Sequence, residues 1–324
     1  MGKQIVKLLP VVLSLILQGG TVAAPAQEVV PVYPEVQSGI STQENQDQIR
    51  VYMHQTGETV TLSMNTYLQG VVRGEMQGDY PMDALKAQAV AARTYAYYLK
   101  ASGKTHPGGA CVCTDYTCCQ AWAPVDPVWI YHARVQEAVE TTGGIVVTYE
   151  GQPIKAMYFA SSGGHTEDYA AVWNDFSYGY LQGVPSLNEQ NYHFTDDVFV
   201  QEFSPWTILS QLRSNGYNIQ CDSACLLENI TDIQRSETGR VLSLTIDGVT
   251  IQGTEIRKIL GLRSTHFYFQ PTAAGGVSIV TLGFGHGVGM SQSGSAALAE
   301  EGYDYGKILK YYYTGVDLEW MPFR

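Results

Sequence analysis

A carboxylate on the apolar face of a helix limits what this chain can fold into. Between Asn65 and Met76, the side chains of Leu68, Val71, Val72, Glu75 and Met76 recur at the spacing of one helical face. Packing that face against a core takes Glu75 in with it. A carboxylate withdrawn from water has its pKa raised and holds a proton near neutral pH. A general acid acting on an ether-like bond needs that property. The alternative is a helix-end glutamate that swings out to solvent.

A second helix follows from about residue 81 to 101, with Pro81 at a position that suits a helix start. Leu85, Ala89, Ala92, Ala96 and Leu99 form a small, closely packable face. Lys86, Arg93 and Tyr97 share another stripe. Arg93 can fork onto a carboxylate; the competing reading is an exposed basic face on a surface helix. A hairpin is expected over residues 49–63 around Thr56 and Gly57, and a helix over 126–142. A strand pair over 144–162 turns at Glu150 and Gly151, and a helix covers 204–215. Strands over 231–251 turn at Gly239 and Gly248, followed by a short helix over 253–261, a strand over 276–282 and a helix ending near Glu301. Helices mixed with hairpins, without repeated βαβ units, indicate an α+β fold. The expected architecture is helices packed with β-hairpins around a substrate groove. It forms one compact extracytoplasmic unit, with division into two lobes left open.

The N-terminus points to export. Lys3 and Lys7 precede a short apolar core and a small-residue exit at Ala24 and Ala26. Residues 1–26 read as a signal peptide or membrane anchor, 27–48 as a polar, proline-bearing linker, and 49–324 as the folded catalytic domain. The protein is therefore expected outside the cytoplasm, anchored by its N-terminus or secreted if the signal is cleaved. At 45% hydrophobic residues, the chain can bury a real core. A net charge of −12 argues against nucleic acid as a partner, since phosphate binding needs a basic surface.

All six cysteines fall in two clusters. His106, Cys113 and Cys119 lie in one loop and can supply three of the four tetrahedral positions of zinc, with Cys111 and Cys118 as alternative thiolates. Disulfides are the competing default in an exported protein, although the vicinal pair Cys118 and Cys119 is poor disulfide geometry. Cys221 and Cys225 suit a disulfide or a reduced buried pair. Two glycine-rich loops carry His165 and His286, and small residues there let backbone approach a ligand. They read as groove lining or as tight turns with a structural histidine. Neither has the P-loop lysine, and no nucleophile elbow accompanies Ser161 or Ser162.

Five stretches together resemble the stage II sporulation protein D family. They are residues 67–76, the Leu-Lys-Ala-Gln-Ala-Val-Ala-Ala-Arg-Thr-Tyr block at 85–95, 113–120, 161–167, and the Gly-His-Gly-Val-Gly-Met-Ser-Gln block at 285–292. The resemblance runs in order over roughly residues 49 to 324. It implies a peptidoglycan lytic transglycosylase that acts in engulfment during sporulation on glycan strands stripped of stem peptides. Glu75 would be the single catalytic acid/base and His106, Cys113 and Cys119 the ligands of a structural zinc. The family often has His where this chain has Cys118. The residues themselves suggest as substrate contacts Lys86, Arg93, Tyr97, Ser161, Ser162, His165, Thr166, His286, Ser291 and Gln292. Lys86 and Arg93 are expected to hold lactyl carboxylate or sugar oxygens. Implied partners are the glycan strand, a cell-wall amidase resembling stage II sporulation protein P, and a membrane protein of the engulfment complex. The competing functions are a non-catalytic wall-binding enhancer of an amidase, and a hydrolytic muramidase. Asp79 and Asp168 fit turn and surface roles better than that of a second acid.

Overall fold

The computed structural model describes residues 47–76, 78–189 and 198–323. The expected signal or anchor and nearly all of the linker lie outside the described residues. The hairpin forms as β1 (Gln48–Met53) and β2 (Glu58–Ser63), and β1 also pairs in parallel with the short β3 (Val112–Cys113). Ser63 caps the helix that follows, α1 (Met64–Glu75), by accepting from the Thr66 amide at 3.1 Å. Capping of this kind stabilises a helix start by about 1 kcal/mol. The apolar face read from the sequence is buried: Leu68, Val71, Val72 and Met76 are all closed from solvent.

The next helix, α2 (Met82–Ala101), is the centre of the molecule. Ala84, Ala87, Ala89, Ala91, Ala92 and Ala96 are fully buried, and they lie on several faces rather than one. Short side chains on every side let α1 approach it, along with α3 (His132–Glu140) and β4 (Ile145–Tyr149). Such a helix keeps only a narrow strip for solvent, at Asp83, Lys86 and Lys100, and Arg93 is not on it. This corrects the expectation for Arg93, which is 1% exposed. Its guanidinium donates to the carbonyls of Val139 and Thr142 at the end of α3, and to Ile145 at the start of β4. Those carbonyls carry the negative end of the helix dipole and lack partners within the helix. Burial lowers the pKa of Arg93 to about 10, which leaves it charged at neutral pH. Tyr97 is likewise occupied: it donates to the Met321 carbonyl at 2.8 Å and packs against Phe323.

The remaining elements form small sheets. β4 pairs with β5 (Gln152–Pro153) on one side. A parallel pair joins β6 (Tyr158–Phe159) to Met290 and Ser291, and Gly164 and His165 pair with Pro185 and Ser186. Strands Ile230–Arg235, Val241–Ile246 and Val249–Gln252 make a three-stranded meander. Val277–Leu282 lies between Phe267–Pro271 and Val198–Phe203. These two sheets share an apolar cluster with the helices Pro205–Ser214 and Gly253–Leu260. The chain ends with helices Gln292–Glu300 and Tyr305–Tyr312 and a strand, Asp317–Trp320, on the free edge of β4. Mixed helices and antiparallel sheets make the class α+β, as the pattern predicts.

Three local expectations change. The helix expected over 126–142 begins only at His132, because Asp126 first closes a turn by accepting from the Val128 amide. The second strand of the 144–162 pair shrinks to two residues at Pro153, which has no amide to donate. The helix Tyr305–Tyr312 and the strand Asp317–Trp320 are additions to the expected elements. None of the helices among the described residues is long and apolar enough to cross a membrane.

Gly70 sits mid-helix in α1, where glycine costs roughly 1 kcal/mol relative to alanine, and Gly74 lies in its last turn. They are there because the segment 121–124 crosses the helix at that point. A Cβ on Gly70 would lie 2.1 Å from Trp122 Nε1, and one on Gly74 2.8 Å from the Trp122 amide nitrogen. Gly70→Ala should therefore lower unfolding stability by about 1–3 kcal/mol through overpacking, despite its better helix propensity. Urea titration with an unchanged m-value checks it; a gain in stability would mean that the crossing is not held.

Candidate active site

Glu75 is the last residue of α1, and its carboxyl meets the crossing segment at Ala121. The residue keeps part of its surface open while protein surrounds the carboxyl. The Ala121 amide donates to Oε1 at 2.6 Å, and the Tyr158 hydroxyl lies 3.5 Å from the same oxygen. Gln292 Nε2 donates to Oε2 at 3.4 Å and also contacts Gln88 Oε1 at 3.4 Å. Burial raises the Glu75 pKa from 4.5 to about 7, against hydrogen bonds from Ala121, Gln292 and Tyr158 that favour the ionised form. A group poised there is part acid and part base at neutral pH.

Glu75 is reached from four directions. α1 carries it, the crossing segment supplies Ala121, β6 supplies Tyr158, and the start of Gln292–Glu300 supplies Gln292. Gln120, next to Ala121, joins Tyr67 on α1 to Tyr158 on β6: Nε2 donates to the Tyr67 hydroxyl at 2.8 Å and Oε1 accepts from Tyr158 at 2.7 Å.

The same segment begins at a cluster of soft donors. One donor atom from each of His106, Cys113, Cys118 and Cys119 lies within 4.8 Å of the others. Cys119 Sγ is 3.4 Å from His106 Nε2 and 4.0 Å from Cys118 Sγ. Tetrahedral zinc with bonds of about 2.3 Å to sulfur separates two thiolates by about 3.8 Å, so the set fits that ion. Cys118 thus joins the three donors expected from the loop, and Cys111 lies outside the cluster. Burial and the Lys104 ammonium lower the pKa of His106, which keeps it in the neutral form that a metal binds. All six cysteines are unbonded, including Cys221 and Cys225.

The two glycine-rich loops meet each other rather than Glu75. Ser161 and Phe284 exchange backbone hydrogen bonds at 3.0 and 2.8 Å. A Cβ on Gly283 would lie 2.6 Å from the Ser161 carbonyl oxygen. Beneath them is a buried carboxylate that the sequence pattern does not single out. Glu189 accepts from the hydroxyls of Ser161, Ser162 and Ser186 and from the Ser162 amide. Arg240 is buried across the junction and donates to the Ser162 carbonyl at 2.8 Å. Ser161 and Ser162 are therefore held by Glu189, and the groove-lining expectation for them gives way to a structural one. Thr166 is buried and pairs with Val184, and Ser291 caps the last-but-one helix through the Gly294 amide. His286 accepts from the Val288 amide and packs between Phe159 and Trp173. His165 stays half-exposed with Nδ1 against the Thr166 carbonyl, and Lys86 is half-exposed on α2. Of the ten expected substrate contacts, Gln292 is the one that touches Glu75.

A family model described as Stage II sporulation protein matches residues 52–149, which carry Glu75, Gln120 and the four soft donors. A second, described as Domain of unknown function (DUF8618), matches residues 207–289. Stage II sporulation protein D of Bacillus subtilis (strain 168) is 32% identical over 283 residues, 83% of this chain and 78% of the relative. Its counterpart from Bacillus amyloliquefaciens is 32% identical over 282 residues, with the same shares. The Amidase enhancer of Bacillus subtilis is 28% identical over 296 residues, 78% of this chain but 40% of its own length.

The raised pKa of Glu75 carries a sign for stability. The folded protein binds this proton more tightly than the unfolded chain. The contribution is complete below pH 4.5 and is lost as pH rises through about 7. Glu75→Gln, which stays neutral, should be more stable than wild type at pH 8 by roughly 1–2 kcal/mol, allowing for the open side of the group. Chemical denaturation at pH 8 and pH 5 checks it, the difference narrowing at the lower pH; a constant difference would mean that Glu75 titrates normally.

Proposed function

The chain belongs to the stage II sporulation protein D family, and from that premise we propose that it is a peptidoglycan lytic transglycosylase with Glu75 as its single catalytic acid and base. The observation that carries this reading is one enclosed carboxyl with a pKa near 7 and two unequal oxygens. Oε1 is fixed by the Ala121 amide, so the proton of the neutral acid sits on Oε2, whose contact with Gln292 is longer.

In this reading Oε2 gives its proton to the glycosidic oxygen between MurNAc and GlcNAc as the C1–O bond breaks. The carboxylate left behind takes the proton of the C6 hydroxyl of the same MurNAc, and that oxygen closes on C1 to form the 1,6-anhydro ring. The nucleophile is built into the substrate, which supplies high effective molarity without a bound water. Hydrolysis by the common two-carboxylate route needs a second free carboxyl across the bond. Among the described residues the buried glutamates Glu189 and Glu167 are committed elsewhere, Glu189 to three serines and Glu167 to Thr238 and the Asp168 amide. A lyase fits this arrangement better than a muramidase.

His106, Cys113, Cys118 and Cys119 would hold a structural zinc, tying down the loop that leads into Gln120 and Ala121. When bound, the ion supplies a cross-link and no step of the reaction. The partners that fit this reading are glycan strands, a cell-wall amidase and a membrane protein of the engulfment complex. The corresponding location is extracytoplasmic, with the N-terminus as anchor or cleaved signal. A non-catalytic enhancer is the second reading, because one relative is named Amidase enhancer.

Digestion of stem-peptide-free glycan separates the readings. Wild type should release anhydro-muramyl ends and Glu75→Gln should lose at least about 100-fold in rate, general acid catalysis being worth 10²–10⁴. Products heavier by one water would indicate a muramidase, and no products an enhancer. For the metal, the purified protein should carry one zinc ion per chain, and Cys118→Ser should weaken its retention. Chelation should lower the melting temperature and the activity together; activity lost at unchanged melting temperature would point to a catalytic metal.

A further inference from the structure

Tyr158 stands between two acceptors. Its hydroxyl lies 2.7 Å from Gln120 Oε1 and 3.5 Å from Glu75 Oε1. A phenol has one proton, and the shorter contact holds it. Gln120 is fixed in the matching orientation, because its amide nitrogen donates to the Tyr67 hydroxyl at 2.8 Å. The amide is 1% exposed, so water does not compete for either bond.

Resting on the acid role of Glu75, we propose that Gln120 is a positioning residue that withholds the Tyr158 proton from Glu75. A hydroxyl turned toward Glu75 would donate to its carboxylate and favour the ionised form, and the acid would then be spent before substrate arrives. With that proton drawn to Gln120 at 2.7 Å, the 3.5 Å Tyr158 contact adds little to the Ala121 amide and the Gln292 contact in favouring the carboxylate.

The titratable groups facing this pair from neighbouring elements are phenols. Tyr67 on α1, Tyr95 on α2 and Tyr313 near the chain end all have their pKa pushed above 10 by burial. They remain neutral over the range in which Glu75 titrates. Cys119 flanks Tyr67 and Tyr95. Arg73 on the same helix is paired with Asp126 at 3.6 Å.

The test reads Glu75 titration directly, without activity, from the pH dependence of the stability difference between each variant and its Glu75→Gln partner. In Gln120→Leu the Tyr158 proton is released to Glu75, and the midpoint should fall by about one pH unit. In Gln120→Leu/Tyr158→Phe there is no proton to release, and the midpoint should return to the wild-type value. In Tyr158→Phe alone it should stay within about 0.3 of wild type. A merely structural glutamine would make the double variant no better than the single one. The proposal is overturned if Gln120→Leu leaves the midpoint in place, or if the double variant falls as far as the single. Should Gln120→Leu fail to fold, Tyr158→Phe decides: a rise of a full unit means that Tyr158 already donates to Glu75. Because no glycan is used, a chain that makes no anhydro products can still pass or fail this test. If it does make them, the alkaline limb of its pH–rate profile should move with the midpoint.

Discussion

Where residues 121–124 lie across α1, Gly74 lets backbone meet backbone, Gly70 makes room for the Trp122 indole, and the Ala121 amide reaches the Glu75 carboxyl at 2.6 Å. That bond fixes one oxygen of the acid and leaves the other for chemistry. It also runs against the desolvation that raises the Glu75 pKa. The balance settles near neutrality because one strong donor opposes burial and the remaining contacts are long. A second close donor would make the group an ordinary carboxylate, and fewer would leave it a permanent acid.

The crossing has to be held from both ends. At one end the Ala123 amide donates to the Gly70 carbonyl, and Arg73 donates to the Pro124 carbonyl. At the other, the donor cluster of His106, Cys113, Cys118 and Cys119 ends one residue before Gln120. A loop without regular structure has little of its own to resist thermal motion. An ion held by this cluster, as proposed, would give that loop a rigid origin beside Gln120. Behind it all stands α2, whose alanines let several elements close on one axis and whose Arg93 ties down the end of α3.

Family membership and site geometry bear on different statements. Similarity over most of the chain ties it to a sporulation family. It does not choose between a lyase and an enhancer, since the names Stage II sporulation protein D and Amidase enhancer state no lyase activity. The choice rests on what the carboxyl can do: it is enclosed, poised near neutral pH, and without a free acidic partner among its contacts.

The placement of Glu75 was legible because a helix has a fixed period, and an acid on an apolar stripe must follow that stripe into the core. The α+β class, the hairpin, both leading helices and the soft donors of the cysteine loop were legible for the same local reason. Arg93 misled because two buried faces of an alanine helix look alike in sequence, and only packing on all sides revealed an arginine bonded to carbonyls. Ser161 and Ser162 misled because Glu189, which holds them, lies more than twenty residues further on with no pattern of its own. Gln120 was in view inside a quoted motif, but its role needs Tyr67 and Tyr158, brought together from three separate elements. The Ala121 amide could not have been read at all, since every residue but proline has one. Sequence by itself determines which side chains leave water, through short-range periodicity. Which hydrogen bond meets a buried acid depends on long-range approach, and that is decided only when the chain has packed.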